Sequence, residues 1–425
     1  MKKFFGICIL FFVLSHCLFA QEDTRGAEKR RGDYLTIKTA VIGPGDDLYF
    51  WWGHFGLVID DALRGSSTFY DYGVFSFNKE NFFSNFAFGR LYYTSAVSRT
   101  DRDIAYYSQD NRDITFYTLD FDAAEKELIL REAEFYSMKE NAEYLYNHFK
   151  DNCVTRVLNP IDKALNGELY RYTNSTPGRM TLREHVRRHT YFSPFFDWFL
   201  NFVMGQDIDT PSTITQEMFL PSEAASVLEN FYYLDGGGNK RKLVSDVQVI
   251  NRSVNRPPVL DKPRMEWPPF LIFGIAVGGI LYLLRSRAES AKNKKLRGAS
   301  KTLFGLLCGV LSLFFALAGS LAFFMAFFTN HDYSFHNMNV IFINPLLLIA
   351  FVPAFILAFS KNEEKNKRCE KIFRIVWTYV FFAAILCMLL KVLPFFYHKN
   401  YATLAMCLPI SLSLSLIPYW IRKHE

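Results

Sequence analysis

The chain has 425 residues, of which 50% are hydrophobic and 17% aromatic, and its formal net charge is +6. This length allows more than one domain. Most of the excess basic residues lie in short loops between apolar spans, so the charge indicates membrane topology and argues against a nucleic-acid-binding protein.

The first 20 residues have the pattern of an export signal. Lys2 and Lys3 form its positive end, Phe4–Leu14 its apolar core, and Leu18-Phe19-Ala20 a cleavage site. The segment could instead remain as an uncleaved anchor. Cleavage after Ala20 is our prediction.

Residues 34–120 show the alternating, β-branched and aromatic pattern of strands. The predicted strands are Leu35–Ile42, Leu48–Ile59, Ser67–Phe77 and Arg90–Val97. A glycine- and proline-containing turn, residues 43–47, separates the first two.

After residue 120 the spacing becomes helical. Asp122–Met138 predicts a helix, and Glu143–Phe149 a short helix or turn. Asn159-Pro160 looks like a fresh helix start, with Gly167 as its end, and helical sequence continues to about Leu234. Strands first and helices after predict an α+β domain, residues 34–235, rather than a doubly wound one.

The C-terminal part is predicted to lie in a membrane. Residues 236–267 contain a glycine triplet and several prolines and predict a linker, after which residues 268–425 form the membrane domain. Each of five apolar spans is near the length that crosses a bilayer core about 30 Å thick. These spans are Pro268–Leu284, Thr302–Phe328, Ile341–Phe359, Ile372–Leu390 and Ala402–Ile421.

The loops between the spans set the orientation. Residues 285–301 carry seven Lys or Arg and residues 361–374 carry six, whereas residues 329–340 carry none. By the positive-inside rule the basic loops are cytoplasmic. The N-terminal domain is therefore expected outside the cytoplasm, in agreement with the export signal.

Cys153 is the only one of the seven cysteines that falls in the predicted exported domain. An unpaired thiol in an oxidising compartment is expected to be either buried or used. Asp151 or Asn152 can cap a helix whose first turn carries Cys153, and such a helix end favours a thiolate. A buried, inert cysteine explains the sequence equally well.

A thiolate nucleophile needs a base, usually histidine, and the exported domain has four histidines. His148 is too close to Cys153 in sequence to approach it across a fold. His185 and His189, four residues apart, predict one face of a basic helix. A solvated or headgroup-facing surface is favoured there over a metal site.

His54 is the preferred base. It lies between two glycines and enters a buried-looking strand, where a polar side chain needs a partner. The alternative is a histidine that is satisfied within the core. Asp71, in an otherwise aromatic strand, is able to hold the far ring nitrogen of His54, although it would equally well close a turn near Gly73.

Several short motifs now point to a family. They are Gly53-His54, Tyr70-Asp71-Tyr72-Gly73, Asn81-Phe82, Asn111-Arg112, Asp151-Asn152-Cys153-Val154-Thr155-Arg156, Met204-Gly205 and Met218-Phe219-Leu220-Pro221. Together they resemble the periplasmic domain of Lnb-type lipoprotein N-acyltransferases, and the resemblance covers about Leu48 to Leu234. It implies a permuted papain-like (NlpC/P60-type) α+β domain in which the His strand precedes the Cys helix. A C-terminal bundle of about five transmembrane helices follows.

The resemblance also implies an activity. A fatty acyl chain would pass from a phospholipid, through a thioester on Cys153, to the α-amine of a lipoprotein's lipidated N-terminal cysteine. His54 and Asp71 would complete the catalytic group, at the periplasmic face of the bacterial inner membrane, and no cofactor, metal or nucleic acid is expected. The alternative is a membrane-tethered cysteine peptidase or amidase. Five spans argue mildly against it, because one would suffice as a tether.

Five further residues are assigned to substrate binding. Arg156 would hold a phosphate or carboxylate, unless it forms a structural ion pair, and Asn152 and Tyr70 are further predicted substrate contacts. His331 and Asn337 belong to the polar loop 329–339, which would receive the lipid headgroup unless it is a plain solvated loop.

Aromatic residues of the exported domain would suit an acyl groove, although an ordinary core is favoured for most of them. They are Phe82, Phe83, Phe86, Phe88, Tyr92 and Tyr93.

Overall fold

The computed structural model describes residues 29–78 and 80–415. The predicted export signal and the end of the fifth predicted span lie outside the described residues.

The N-terminal domain is built on an antiparallel sheet of seven strands in the order β6-β4-β3-β2-β1-β5-β9. Its strands are β1 (Leu35–Ile42), β2 (His54–Asp61), β3 (Ser66–Val74), β4 (Tyr92–Arg99), β5 (Ile114–Leu119), β6 (Glu143–Leu145) and β9 (Val244–Asn251). Strands β7 (Tyr232–Leu234) and β8 (Lys240–Lys242) pair separately. The four predicted strands are confirmed, β1 at its predicted bounds and the other three with shifted ends; Leu48–Phe50 forms a 3₁₀ turn ahead of β2.

Helices cover both faces of this sheet. Helix α1 (Phe82–Ala87) follows β3, and α2 (Thr100–Gln109) packs on one face, where Tyr107 meets Val58 and Phe69. Helices α3 (Ala123–Ser137) and α4 (Cys153–Ala164) pack on the other. Alternation along β2 sends Phe55, Leu57 and Ile59 to the α3/α4 side. Burying each such side chain contributes about 1.5–3 kcal/mol.

Two local predictions need correction. Glu143–Leu145 forms strand β6, which pairs with β4, so the helical alternative for Glu143–Phe149 is wrong, whereas the predicted turn is found at residues 148–150. Pro160 lies inside α4 and does not start a new helix, because the preceding turns are anchored by the cap at Asn152 and by a buried apolar face. The predicted end of this helix is confirmed, because α4 stops at Ala164 and the Gly167 N–H caps it by donating to the Asp162 carbonyl at 2.8 Å. Gly167, with φ +78°, also precedes helix α5 (Glu168–Ser175).

Part of the predicted linker belongs to the sheet. Strand β9 pairs with β5 along its length and forms the sheet edge. Most of its side chains are exposed, so the strand lacks the apolar alternation by which buried strands are recognised. The remaining helices of this domain are α6 (Leu182–Thr190), α7 (Pro194–Val203), α8 (Ile214–Glu217) and α9 (Pro221–Asn230).

In the described part of the chain, four helical segments are long and apolar enough to cross a membrane. They are Trp267–Ser290 (α10), Lys294–Phe328 (α11), Met338–Phe359, which ends in α12 (Leu348–Phe359), and Glu363–Leu390 (α13). A shorter apolar helix, α14 (Tyr401–Leu414), lies at the fifth predicted span. Four predicted spans are thus confirmed as candidates, and the fifth stays a prediction.

The N-terminal domain is joined to the apolar bundle by α7 and by the loop 329–340. Trp198 of α7 stacks on Phe270 and Phe314 of the bundle. Directly after α7, the Gly205 N–H donates to the Tyr333 carbonyl of the loop at 2.9 Å. These contacts hold the N-terminal domain against α10, α11 and the loop that follows α11.

Candidate active site

His54 is the first residue of β2, and the backbone conformation of the residue before it requires glycine. Gly53 has φ +81°, and an added Cβ there would lie 2.7 Å from the Ile42 carbonyl oxygen. His54 Nε2 then lies 2.9 Å from Asp71 Oδ1, and both side chains are largely buried.

Asp71 occupies β3 where the pairing with β4 shifts register, between residues 71 and 74. Its Oδ1 accepts the Gly73 N–H at 2.7 Å, and its Oδ2 accepts the Tyr107 hydroxyl at 3.5 Å. Burial alone would raise the pKa of Asp71, but the charge of His54 and these hydrogen bonds lower it. Asp71 therefore both holds His54 and closes the turn at Gly73.

Cys153 is the first residue of α4 and is 7% exposed. Of the two predicted caps it is Asn152 that acts, since its Oδ1 accepts the N–H groups of Val154 (2.9 Å) and Thr155 (3.1 Å). The cap uses two donors of the first helical turn. The backbone N–H of Cys153 is the donor of the first turn that the Asn152 side chain does not bind.

The side chains of His54 and Cys153 are close enough for Cys153 to act on the pKa of His54. Burial alone would lower the pKa of His54, but the charges of Asp71 and Cys153, together with its hydrogen bond to Asp71, raise it to about 10. The protonated form of His54 is thus stabilised between the Asp71 carboxylate and the side chain of Cys153. Since Nε2 is held by Asp71, Nδ1 is the ring nitrogen that remains for the sulfur.

Three tyrosines lie close enough to the sulfur to feel its charge. Burial, and after it the negative charge of Cys153, raise the pKa of Tyr93, Tyr144 and Tyr146, so all three phenols stay protonated. The rings of Tyr93 and Tyr146 stack at 4.1 Å. Only Tyr93 was singled out from the sequence. The alternation Tyr144-x-Tyr146-x-His148 directly before the cysteine is the signal that could have found the others.

Two family models match the chain. Residues 24–188 match the Lnb N-terminal periplasmic domain, and residues 275–423 match the Lnb transmembrane domain. The chain belongs to the Lnb family. No curated protein and no solved structure matches it. This Lnb-type protein thus combines a periplasmic N-terminal domain with a membrane domain, as the loop charges predict.

Three predicted substrate-binding residues of the Lnb-type protein are engaged within the fold. Arg156 pairs with Asp151 through two hydrogen bonds of 2.6 Å, so of the two alternatives it forms the structural ion pair. Its guanidinium also lies 4.0 Å from the centre of the Tyr144 ring. Asn152 Nδ2 donates to the His148 and Phe219 carbonyls. Tyr70 is buried in the core on the α3/α4 side.

The loop 329–340 is packed against the periplasmic domain, so the plain solvated loop is wrong. His331 Nε2 donates to the Phe86 carbonyl at 3.1 Å, which leaves Nδ1 to accept the Tyr333 hydroxyl at 2.9 Å. Asn337 Nδ2 donates to the Phe202 carbonyl (2.8 Å) and the Val203 carbonyl (3.1 Å) at the end of α7.

A cavity of about 80 Å³ lies between this loop and the turn that leads into Cys153. Tyr146 and His148 line it from the periplasmic domain, and His331, Asp332 and Tyr333 line it from the loop. Burial, and after it the charge of His331, lower the pKa of His148 to about 4, so this imidazole is neutral. His331, a predicted substrate contact, therefore lines the same cavity as the turn that leads into Cys153. Asn337, by contrast, anchors the loop to the end of α7.

The histidines of α6 do not form a solvated face, so that prediction is wrong. His185 and His189 are both buried, with His185 Nε2 2.9 Å from Glu217 Oε1 and His189 Nδ1 hydrogen-bonded to the Trp51 carbonyl. His185, Glu217 and Glu223 are close enough to share a metal. Arg188 contacts both His185 and Glu223, however, so a guanidinium already supplies the positive charge.

Proposed function

We propose that this Lnb-type protein is a thiol acyltransferase. It takes a fatty acyl chain from a phospholipid and gives it to the α-amine of a lipoprotein's lipidated N-terminal cysteine. The observation that carries the proposal is the pair of His54 Nε2 and Asp71 Oδ1 at 2.9 Å, beside Cys153 at the start of α4, in a periplasmic domain held against a membrane bundle.

In the first half-reaction the Cys153 thiolate attacks the ester carbonyl of the phospholipid. A C–S bond forms, the ester C–O bond breaks, and His54 gives its proton to the departing lysophospholipid oxygen. The Cys153 N–H, which the helix cap leaves, would face the negative carbonyl oxygen of the intermediate. Such a donor typically contributes about 3–4 kcal/mol to the transition state.

In the second half-reaction the acceptor amine attacks the thioester. A C–N bond forms, the C–S bond breaks and regenerates the thiolate, and His54, left neutral by the first step, takes the proton that the amine loses. Asp71 stabilises the imidazolium at both stages and fixes which ring nitrogen faces the sulfur.

The surroundings of the sulfur favour transfer over hydrolysis. Cys153 is 7% exposed, and its burial limits the access of water to a thioester. A peptidase or amidase of the same catalytic type needs water as its second substrate. We therefore favour the acyltransferase, acting at the outer leaflet of the bacterial inner membrane, with a periplasmic domain of permuted papain-like type.

The experiment is complementation in cells that lack their own lipoprotein N-acyltransferase, followed by mass spectrometry of lipoprotein N-termini. Wild-type protein is expected to produce N-acylated termini, whereas Cys153→Ala and His54→Gln leave them free. Cys407→Ala, in the bundle, serves as the matched cysteine control. Free N-termini with wild-type protein present in the membrane would reject the proposal.

A further inference from the structure

Helix α1 and the residue after it expose an aromatic surface beside the membrane domain. Phe83 is 74% exposed, Phe86 53% and Phe88 40%. A soluble surface rarely carries such a cluster without a partner. Short helices of this kind lie in a bilayer interface with their aromatic rings at headgroup level.

Two contacts place this surface at the outer end of a candidate span. The Phe88 ring lies 5.6 Å from Phe324 in the last turns of α11. The Asn330 N–H, just beyond the end of α11, donates to the Phe88 carbonyl at 2.9 Å. Because Phe327 and Phe328 of α11 are also exposed, the aromatic surface is continuous with the lipid-facing surface of the bundle.

A row of rings leads from this surface to the sulfur. Phe86 stacks with Phe82 at 6.2 Å, and Phe82 with Phe75 at 6.1 Å. Phe75 lies 5.0 Å from Tyr93, which stacks on Tyr146 at 4.1 Å. Tyr146 leads directly into the turn that the paired backbones of Asn147 and Asp151 close just before Cys153. We call these five side chains the aromatic row.

We propose that α1 inserts into the outer leaflet and that the aromatic row guides one acyl chain of a membrane phospholipid to Cys153. The occupant is a phospholipid because the exposed end of the row joins the lipid-facing surface of α11. The row offers apolar contact along its length, and its last member, Tyr146, stands at the turn that leads into Cys153. This inference rests on the proposed function, since it names the route by which that reaction receives its donor.

The first test is photo-cross-linking of the full-length protein in liposomes with a phosphatidylcholine that carries a diazirine in its acyl chain. We expect cross-links on residues 82–88, in the wild type and equally in Cys153→Ala. Leu63 is the control, because it is 60% exposed and lies in the β2–β3 turn, at the opposite end of these strands from α1. Labelling of the spans with none on residues 82–88, or equal labelling around Leu63, would overturn the inference.

The second test measures acylation of Cys153 from phospholipid vesicles in Phe83→Ser, Phe86→Ser and Leu63→Ser. Loss of one membrane-inserted ring is expected to slow acylation by about tenfold or more in the two α1 variants. Alkylation of Cys153 by iodoacetamide should stay at the wild-type rate, and Leu63→Ser should change neither rate. Wild-type acylation in both α1 variants, or equal loss of acylation and alkylation, would refute the route.

The two proposals fail in different ways. Cross-links on residues 82–88 without acyl transfer would remove the proposed reaction and leave α1 as a membrane contact. Acyl transfer without these cross-links would keep the reaction and remove the route.

Discussion

Substitution of Gly73 by alanine tests the geometry of the active site without removing any reacting group. A Cβ added at Gly73 would lie 2.6 Å from His54 Cε1 and 3.2 Å from His54 Nδ1. Carbon–carbon contacts are optimal at about 3.5–4.0 Å, so the imidazole must move by roughly 1 Å. It cannot do so and keep its position between Asp71 and Cys153. A misplacement of about 1 Å costs on the order of 10²-fold in rate.

The assay is single-turnover acylation of Cys153 from phospholipid vesicles, read by intact-protein mass spectrometry. Gly73→Ala is expected to acylate about 10²-fold more slowly than the wild type. Gly236→Ala is the matched control, because an added Cβ there meets nothing within 4 Å. Thermal unfolding of both variants reports on folding separately. A Gly73→Ala variant that acylates at the wild-type rate would refute the placement of His54.

Three further outcomes follow from the same contacts. Asp71→Asn removes the largest influence that raises the pKa of His54, and we expect acylation to fall by on the order of 10²-fold or more. Arg156→Gln removes the ion pair with Asp151 and should lower the free energy of unfolding by about 1 kcal/mol while leaving the KM for phospholipid unchanged. At Gly205 an added Cβ would overlap the backbone of the loop 329–340, so Gly205→Ala should lower the unfolding free energy by about 1–3 kcal/mol.

Each of these three predictions can be contradicted by a specific result. For Asp71, the pKa of His54 is raised, so its contribution to stability is present below about pH 6.5 and is lost as the pH rises through about 10. The loss between these values should be smaller in Asp71→Asn than in the wild type, and an equal loss would contradict the pairing. A raised KM in Arg156→Gln would restore Arg156 as a substrate contact. Wild-type unfolding of Gly205→Ala would contradict the docked loop.

The sequence predicts the elements that bury an alternating or helical face. β1 is found at its predicted bounds, and α3 differs from its predicted bounds by one residue at each end. His54, Asp71 and Cys153, which the sequence predicts as base, orienting carboxylate and nucleophile, are brought together. Gly53, Gly73 and the helix cap Asn152 fix the backbone next to His54, Asp71 and Cys153 in turn. Short motifs that contain these neighbours are therefore enough to predict the three residues.

Features that depend on distant partners escaped prediction. β9 exposes most of its side chains, so only its hydrogen bonds to β5 reveal it as a strand. His185 looked solvated because its neighbours are basic, yet Glu217 and Arg188 satisfy it in the interior. Tyr107 of α2 donates a hydrogen bond to Asp71, which is 36 residues away in sequence, so the local sequence pattern does not predict this contact.

The most direct test of the central claim is peptide mapping of the protein after incubation with phospholipid vesicles and no acceptor. We expect a fatty acyl adduct on Cys153 that hydroxylamine removes, and none in His54→Gln. Acyl transfer that proceeds in Cys153→Ala, or an adduct that forms on another residue, would contradict the account.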